Sequence, residues 1–201
     1  MSPSPRRRRR RRLLGAVLVI ALLATFFGCS STITPPTGIT DPARVFLLRE
    51  AMHTGIVLPP REASEEYVEF GFGDWSWFAL GNEAWYRVFP TVLWPTQGTL
   101  GRRTFGAATP EALRARVTWA ELQEVPVARD KAAALRTRLQ QLHDSRGKEA
   151  VTRPSLGWTF VPYDRSYWFP QNCADVAAEW FRELDCSVGW LPIRMGLTVA
   201  H

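Results

Sequence analysis

An α+β fold, with an antiparallel sheet packed against helices, is the architecture this sequence predicts. Three observations carry it. Short β-compatible runs follow one another at 44–51 (RVFLLREA), 53–58 (HTGIVL) and 67–72 (YVEFGF), joined by segments that favour an antiparallel meander. A well-patterned helix spans 130–144 (DKAAALRTRLQQLHD), and a capped one opens within PQNCADVAAEWF, residues 170–181. The chain has 201 residues, enough for one domain with a real core.

Seven arginines form one run, Arg6 to Arg12, followed by an apolar run from Leu13 to Phe27 and then Gly28-Cys29-Ser30-Ser31. A basic start, an apolar middle and a small residue before the cut describe a secretory signal. The apolar run is short for a permanent span, which needs roughly 20 residues. Gly28-Cys29 resembles a bacterial lipobox, with Phe26 where Leu is usual. The expectation is therefore a lipoprotein: 1–28 a signal peptide, Cys29 the lipidated residue, the membrane its partner. Plain secretion, an uncleaved anchor and twin-arginine export are the alternatives. Without the leader, Lys+Arg falls from 25 to 18 against 19 Asp+Glu, leaving −1. Nucleic acid is excluded as a partner, because no basic footprint remains.

Residues 29–42, rich in Ser, Thr, Pro and Gly, read as a tether, and 43–201 as the domain. The run 44–51 is the first strand and 53–58 the second, stopped by Pro59-Pro60. In the third, 67–72, Glu69 and Gly71 share one face while Val68, Phe70 and Phe72 share the other. Residues 73–95 are dense in aromatics, among them Trp75, Trp77, Phe78, Trp85, Tyr86, Phe89 and Trp94. They are read as core, against a sharper reading as a lip over a cleft or a membrane-facing surface. Trp85, Phe89 and Val92 fall at helical spacing, which predicts a short helix after Asn82. One strand is expected within 117–127. The helix 130–144 carries Leu135, Leu139 and Leu142 on one stripe and stops near Gly147. A strand at 157–162 (GWTFVP) and a turn at Tyr163-Asp164 lead to the last helix.

In that helix Asn172 is a preferred N-cap, Asp175 sits at N3, and Cys173 falls at N1. The helix dipole favours a thiolate there, whereas the nearby Asp175 charge opposes it. Of the three histidines, His201 is the last residue and His143 lies near a helix end, so His53 is the candidate base. A Cys–His pair also needs an orienting group; Glu69 is the first choice and Asp74 the second. Cys173 and Cys186 are read as separate thiols, since continuous helix between them would hold their Cα atoms roughly 19 Å apart; a helix end before Cys186 with a chain reversal is the arrangement that would allow a disulfide. No metal-ligand spacing, GxSxG elbow or phosphate-binding loop is present, so no metal and no cofactor is expected.

His53-Thr54-Gly55-Ile56-Val57-Leu58-Pro59, then Glu69-Phe70-Gly71-Phe72-Gly73-Asp74, then Asn172-Cys173, resembles the circularly permuted branch of the NlpC-type, papain-like superfamily. That branch includes lecithin–retinol acyltransferase, and within it the pattern is similar to a bacterial conserved-hypothetical family sometimes encoded near urease genes. The resemblance covers most of 43–186. It implies a permuted papain-like fold, Cys173 as nucleophile, His53 as base and a polar third residue at Glu69. Asn172 is placed at the cap and oxyanion region. Acyltransferase-type relatives often carry a second histidine, which is missing here, and 85–150 has no counterpart in the minimal fold. The function expected is an envelope-anchored, cysteine-dependent hydrolase or acyltransferase acting on an amide or ester of cell-wall peptide or lipid. The alternative is a non-enzymatic envelope lipoprotein that binds a peptide or lipid, with Cys173 and His53 merely packed.

Overall fold

The computed structural model describes Gly15 and residues 30–51, 53–84, 93–169, 171–191 and 194–200. The signal segment apart from Gly15, Cys29, residues 85–92 of the helix expected after Asn82, and His201 lie outside the described residues. Helix and strand are mixed, as an α+β fold requires.

The first strand is a surprise. Ser30–Thr34 (β1), expected to belong to a tether, alternates exposed and buried residues and buries Ile33 completely. Its Ser/Thr composition reads as linker, but β-branched Thr and Ile also suit a strand once partners exist on both sides. Part of the segment read as a tether is thus a strand, Ser30–Thr34.

The main sheet is built from strands whose alternating faces serve two cores. In β2 (Pro42–Glu50), Val45 and Leu47 enter one core while Phe46 and Leu48 enter another. β3 (His53–Leu58) repeats the pattern, with Ile56 and Leu58 opposite Val57. β4 (Val68–Asp74) is buried along its whole length. With β5 (Thr96–Thr104), β6 (Glu121–Ala128), β7 (Val151–Arg153) and β8 (Trp158–Tyr167), the order is β6-β2-β3-β4-β5-β8-β7. All neighbouring pairs in it are antiparallel, and β2 to β4 form the expected meander, which β5 extends.

Two boundaries differ from expectation. The strand sought in 117–127 begins only at Glu121, because a short helix, α1 (Pro110–Arg116), is capped by Thr109 and started by Pro110 just upstream. β8 runs on to Tyr167 where a turn was expected at Tyr163-Asp164. Its register against β5 shifts between Gln97 and Gly98, so the extra residues are absorbed as an irregularity in the ladder.

α2 (Arg129–Ser145) and α3 (Cys173–Glu183) bury Ala132, Leu135, Leu139, Val176, Trp180 and Phe181 in one core with Val45, Ile56 and Phe70. α1 covers the other face through Leu113. After α3, β9 (Ser187–Val188) and β10 (Gly196–Val199) flank β1, antiparallel and parallel respectively. Ile33 and Leu197 carry this small sheet into the core beneath α3.

Candidate active site

Cys173 begins α3 because Asn172 stops the chain from being helical one residue earlier. The Asn172 side chain accepts from the Ala174 N–H at 2.8 Å, and its own N–H donates to Asp175 at 3.3 Å, which makes the expected capping box. Asn172 Nδ2 donates to the carbonyls of Phe169 and Arg194, at 3.2 and 2.7 Å. Both amide hydrogens are thereby used, so Asn172 caps and ties the loop, and an oxyanion role does not fall to its side chain.

His53 stands at the start of β3, where its ring overhangs two glycines. A Cβ on Gly71 would lie 2.6 Å from His53 Cε1, and one on Gly55 would collide with Glu69 Oε1. Absent side chains are what let imidazole and carboxylate lie flat on the sheet. His53 Nε2 meets Glu69 Oε1 at 3.1 Å, and the ring also makes a side-chain hydrogen bond to Cys173. Glu69 thus takes Nε2. Burial pulls the His53 pKa down. The hydrogen bonds to Cys173 and Glu69, with their negative charges, outweigh it and raise the pKa to about 9. The shift favours the cationic form of the ring.

Glu69 is fully buried, and its second oxygen accepts from Arg103 Nε at 2.6 Å. Arg103 faces Glu69 directly across the β4–β5 pair. Its guanidinium carbon lies 4.3 Å from the ring centroid of Trp119 and 4.6 Å from that of Trp158. Trp158 in turn meets the His53 ring edge-on at 5.7 Å. Cys173, His53, Glu69 and Arg103 thus form one chain of contacts.

Asp74, the second choice for orienting His53, does other work. It caps the turn Trp75–Ala79 by accepting from the Trp77 N–H at 2.6 Å, while its other oxygen accepts from the Thr96 hydroxyl. The capping carboxylate after a strand looks the same in sequence as an orienting one; geometry separates them. Asp175, the charge set against a thiolate, pairs with Arg194 Nη1 at 2.7 Å. Burial pushes its carboxyl pKa upward, opposed by the Asn172 N–H and Arg194. His143 is buried and structural, with Nε2 3.1 Å from the Thr159 carbonyl, and burial lowers its pKa. Cys173 and Cys186 form no disulfide; burial, and then the Asp185 charge, push the Cys186 thiol up to about 12.

A cavity of about 260 Å³ opens beside His53, lined by Trp77, Phe78, Trp158, Phe160 and Arg103 among others. The aromatic segment 73–95 therefore divides: Trp77 and Phe78 wall a cleft, while Trp94 is 64% exposed. Tyr167 also belongs near the site. Burial, followed by the charges of Cys173, Asp74 and Asp175, holds its phenol above the ordinary tyrosine range, which keeps it neutral.

No family model, no curated protein and no solved structure matches the chain. The residues themselves carry the chemistry. An imidazole bonded to a thiol on one side and a buried carboxylate on the other can move a proton to and from sulfur. Arg103, Arg194 and Tyr167 escaped the sequence reading. A buried Glu69 calls for a cation, and Arg102-Arg103 was the available signal; Arg194 and Tyr167 left none.

Proposed function

We propose that this chain is a thiol-dependent hydrolase or acyltransferase, with Cys173 as nucleophile, His53 as proton carrier and Glu69 as its orienting carboxylate. One observation carries the reading: a single imidazole contacts both Cys173 and a fully buried Glu69. Cys173 Sγ attacks the carbonyl carbon of an amide or ester as the thiolate, and the carbonyl π pair moves onto oxygen. The partial positive charge of the α3 N-terminus and the Tyr167 hydroxyl are the groups available to that oxyanion. As the oxyanion collapses, the C–N or C–O bond breaks, the cationic His53 gives its proton to the departing amine or alkoxide, and a thioester remains. Neutral His53 then takes a proton from water, or from an acceptor hydroxyl or amine, which attacks the thioester. Cys173 leaves as thiolate. Glu69 keeps the ring in one orientation throughout.

The order of His53 strand and Cys173 helix supports a permuted papain-like arrangement of the α+β fold. The leader and Cys29 support an envelope lipoprotein anchored in the membrane, facing the periplasm or cell exterior, where cell-wall peptides and lipids carry amides and esters. A second reading has one observation in its favour. His53 lines the cavity while Cys173 is only 8% exposed, which suits a protein that binds a peptide or lipid without turnover.

Screening amide and ester substrates against the wild type, Cys173→Ala and His53→Ala separates the two. The catalytic reading expects turnover to vanish in both variants while circular dichroism stays unchanged. Undiminished turnover in either variant would sink the mechanism, and binding without turnover in all three would favour the second reading.

A further inference from the structure

The cavity beside His53 holds a cation whose hydrogen bonds are incomplete. Arg103 has a side chain 10% exposed, yet its Nη2 is buried and makes no hydrogen bond. An unsatisfied buried donor costs free energy and calls for a partner. The rest of the side chain is anchored at Nε and on its faces. Nε is held by Glu69, and the guanidinium lies against the rings of both Trp119 and Trp158, so Nη2 cannot turn away without breaking those contacts. The Glu50 carboxylate lies 3.8 Å from Nη2, beyond hydrogen-bond reach, on a side chain 45% exposed.

Around this donor the wall is apolar and aromatic: Phe72, Trp77, Phe78, Trp158 and Phe160, with Leu156 at the junction to a wider groove that also contains Arg103. Its volume of about 260 Å³ lies just below the usual lower bound for small-molecule sites, roughly 300 Å³. A site of this kind suits a ligand with an apolar body and one anionic oxygen pair.

We propose that this cavity binds a carboxylate-bearing apolar group, its body against Trp158 and Phe160 and its carboxylate accepting from Arg103 Nη2. That this group belongs to the substrate rests on the thiol-enzyme reading; that the site binds it does not. Guanidinium is the cation suited to the role, because its planar donors match carboxylate geometry and its face stacks on indole. Glu50 acts as a competitor at the rim, repelling an anion and drawing on the same donor. The carboxylate could come from a fatty acid or from a peptide terminus, which share this chemistry.

The test uses Cys173→Ala protein, in which binding is read without turnover. Calorimetric titration compares octanoate with octanamide, and N-acetylphenylalanine with its amide. In at least one pair the carboxylate should bind about tenfold tighter or more, the usual worth of a charge-assisted hydrogen bond. The pair that discriminates identifies the source. Glu50→Gln should tighten the carboxylate several-fold and leave the amide unchanged, while Arg103→Gln should level the two. Should Arg103→Gln fail to fold, since it also strands Glu69, the half-exposed Glu50 still decides. Equal binding of acid and amide in both pairs, or no response to Glu50→Gln, overturns the proposal. Neither result bears on whether Cys173 is a nucleophile.

Discussion

At the scale of single residues, the site is a set of charges that stabilise one another only together. Glu69 is buried between His53 and Arg103, so removing either neighbour leaves a carboxylate short of partners in a low-dielectric setting. The His53 pKa converts this into a dependence of stability on pH. The folded value, about 9, lies above the ordinary 6.5, so the folded state binds a proton more tightly. The stabilisation is fully present below 6.5 and is lost as pH rises through about 9, a difference of roughly 3 kcal/mol. Urea unfolding of wild type against His53→Gln should therefore show a gap in stability near about pH 6 that narrows by about that amount near about pH 10. A gap that stays constant would mean that His53 is not held as a cation.

At the scale of elements, placement depends on two close approaches. The first is the α3 N-terminus, where the Asn172–Asp175 box sets the helix start and Arg194 answers the Asp175 charge that would otherwise weigh on Cys173. The second is the bare surface of β3 and β4 beneath the imidazole. Gly71→Ala would put a methyl group 2.6 Å from His53 Cε1, forcing the ring off Glu69. A misplacement of about 1 Å costs on the order of 100-fold in rate. Turnover by Gly71→Ala should fall by about that factor, and its urea midpoint should fall too, because Glu69 loses the imidazole. Wild-type turnover in this variant would contradict the ring position. The parity of β4 was legible in the sequence, because period-2 alternation put Glu69 and Gly71 on one face. The Glu69–Arg103 pairing was not, since it depends on the register of β5, reached only after the long aromatic segment.

At the scale of the whole molecule, the unexpected part is the small sheet β10-β1-β9, which joins the two ends of the described domain. Its legibility was poor for a physical reason. β1 is Ser/Thr-rich and gains its partners from the far end of the chain, so local composition pointed to a tether. By contrast Cys173, His53 and the α2 stripe rested on local signals, a cap, a strand start and a 3.6-residue period, and those were readable. Ile33→Ala measures the difference. Ile33 is fully buried in the core under α3, so the change should cost roughly 2–5 kcal/mol by urea denaturation, whereas a residue in a tether would cost nothing. The central claim remains that Cys173, His53 and Glu69 work as one unit. Its most direct measurement is the iodoacetamide alkylation rate of Cys173 near about pH 6.5, with Cys186 as the internal reference. The account predicts that Cys173 reacts far faster than Cys186, and that His53→Ala slows it by about tenfold or more. Equal rates at the two cysteines, or a Cys173 rate indifferent to His53→Ala, would contradict it.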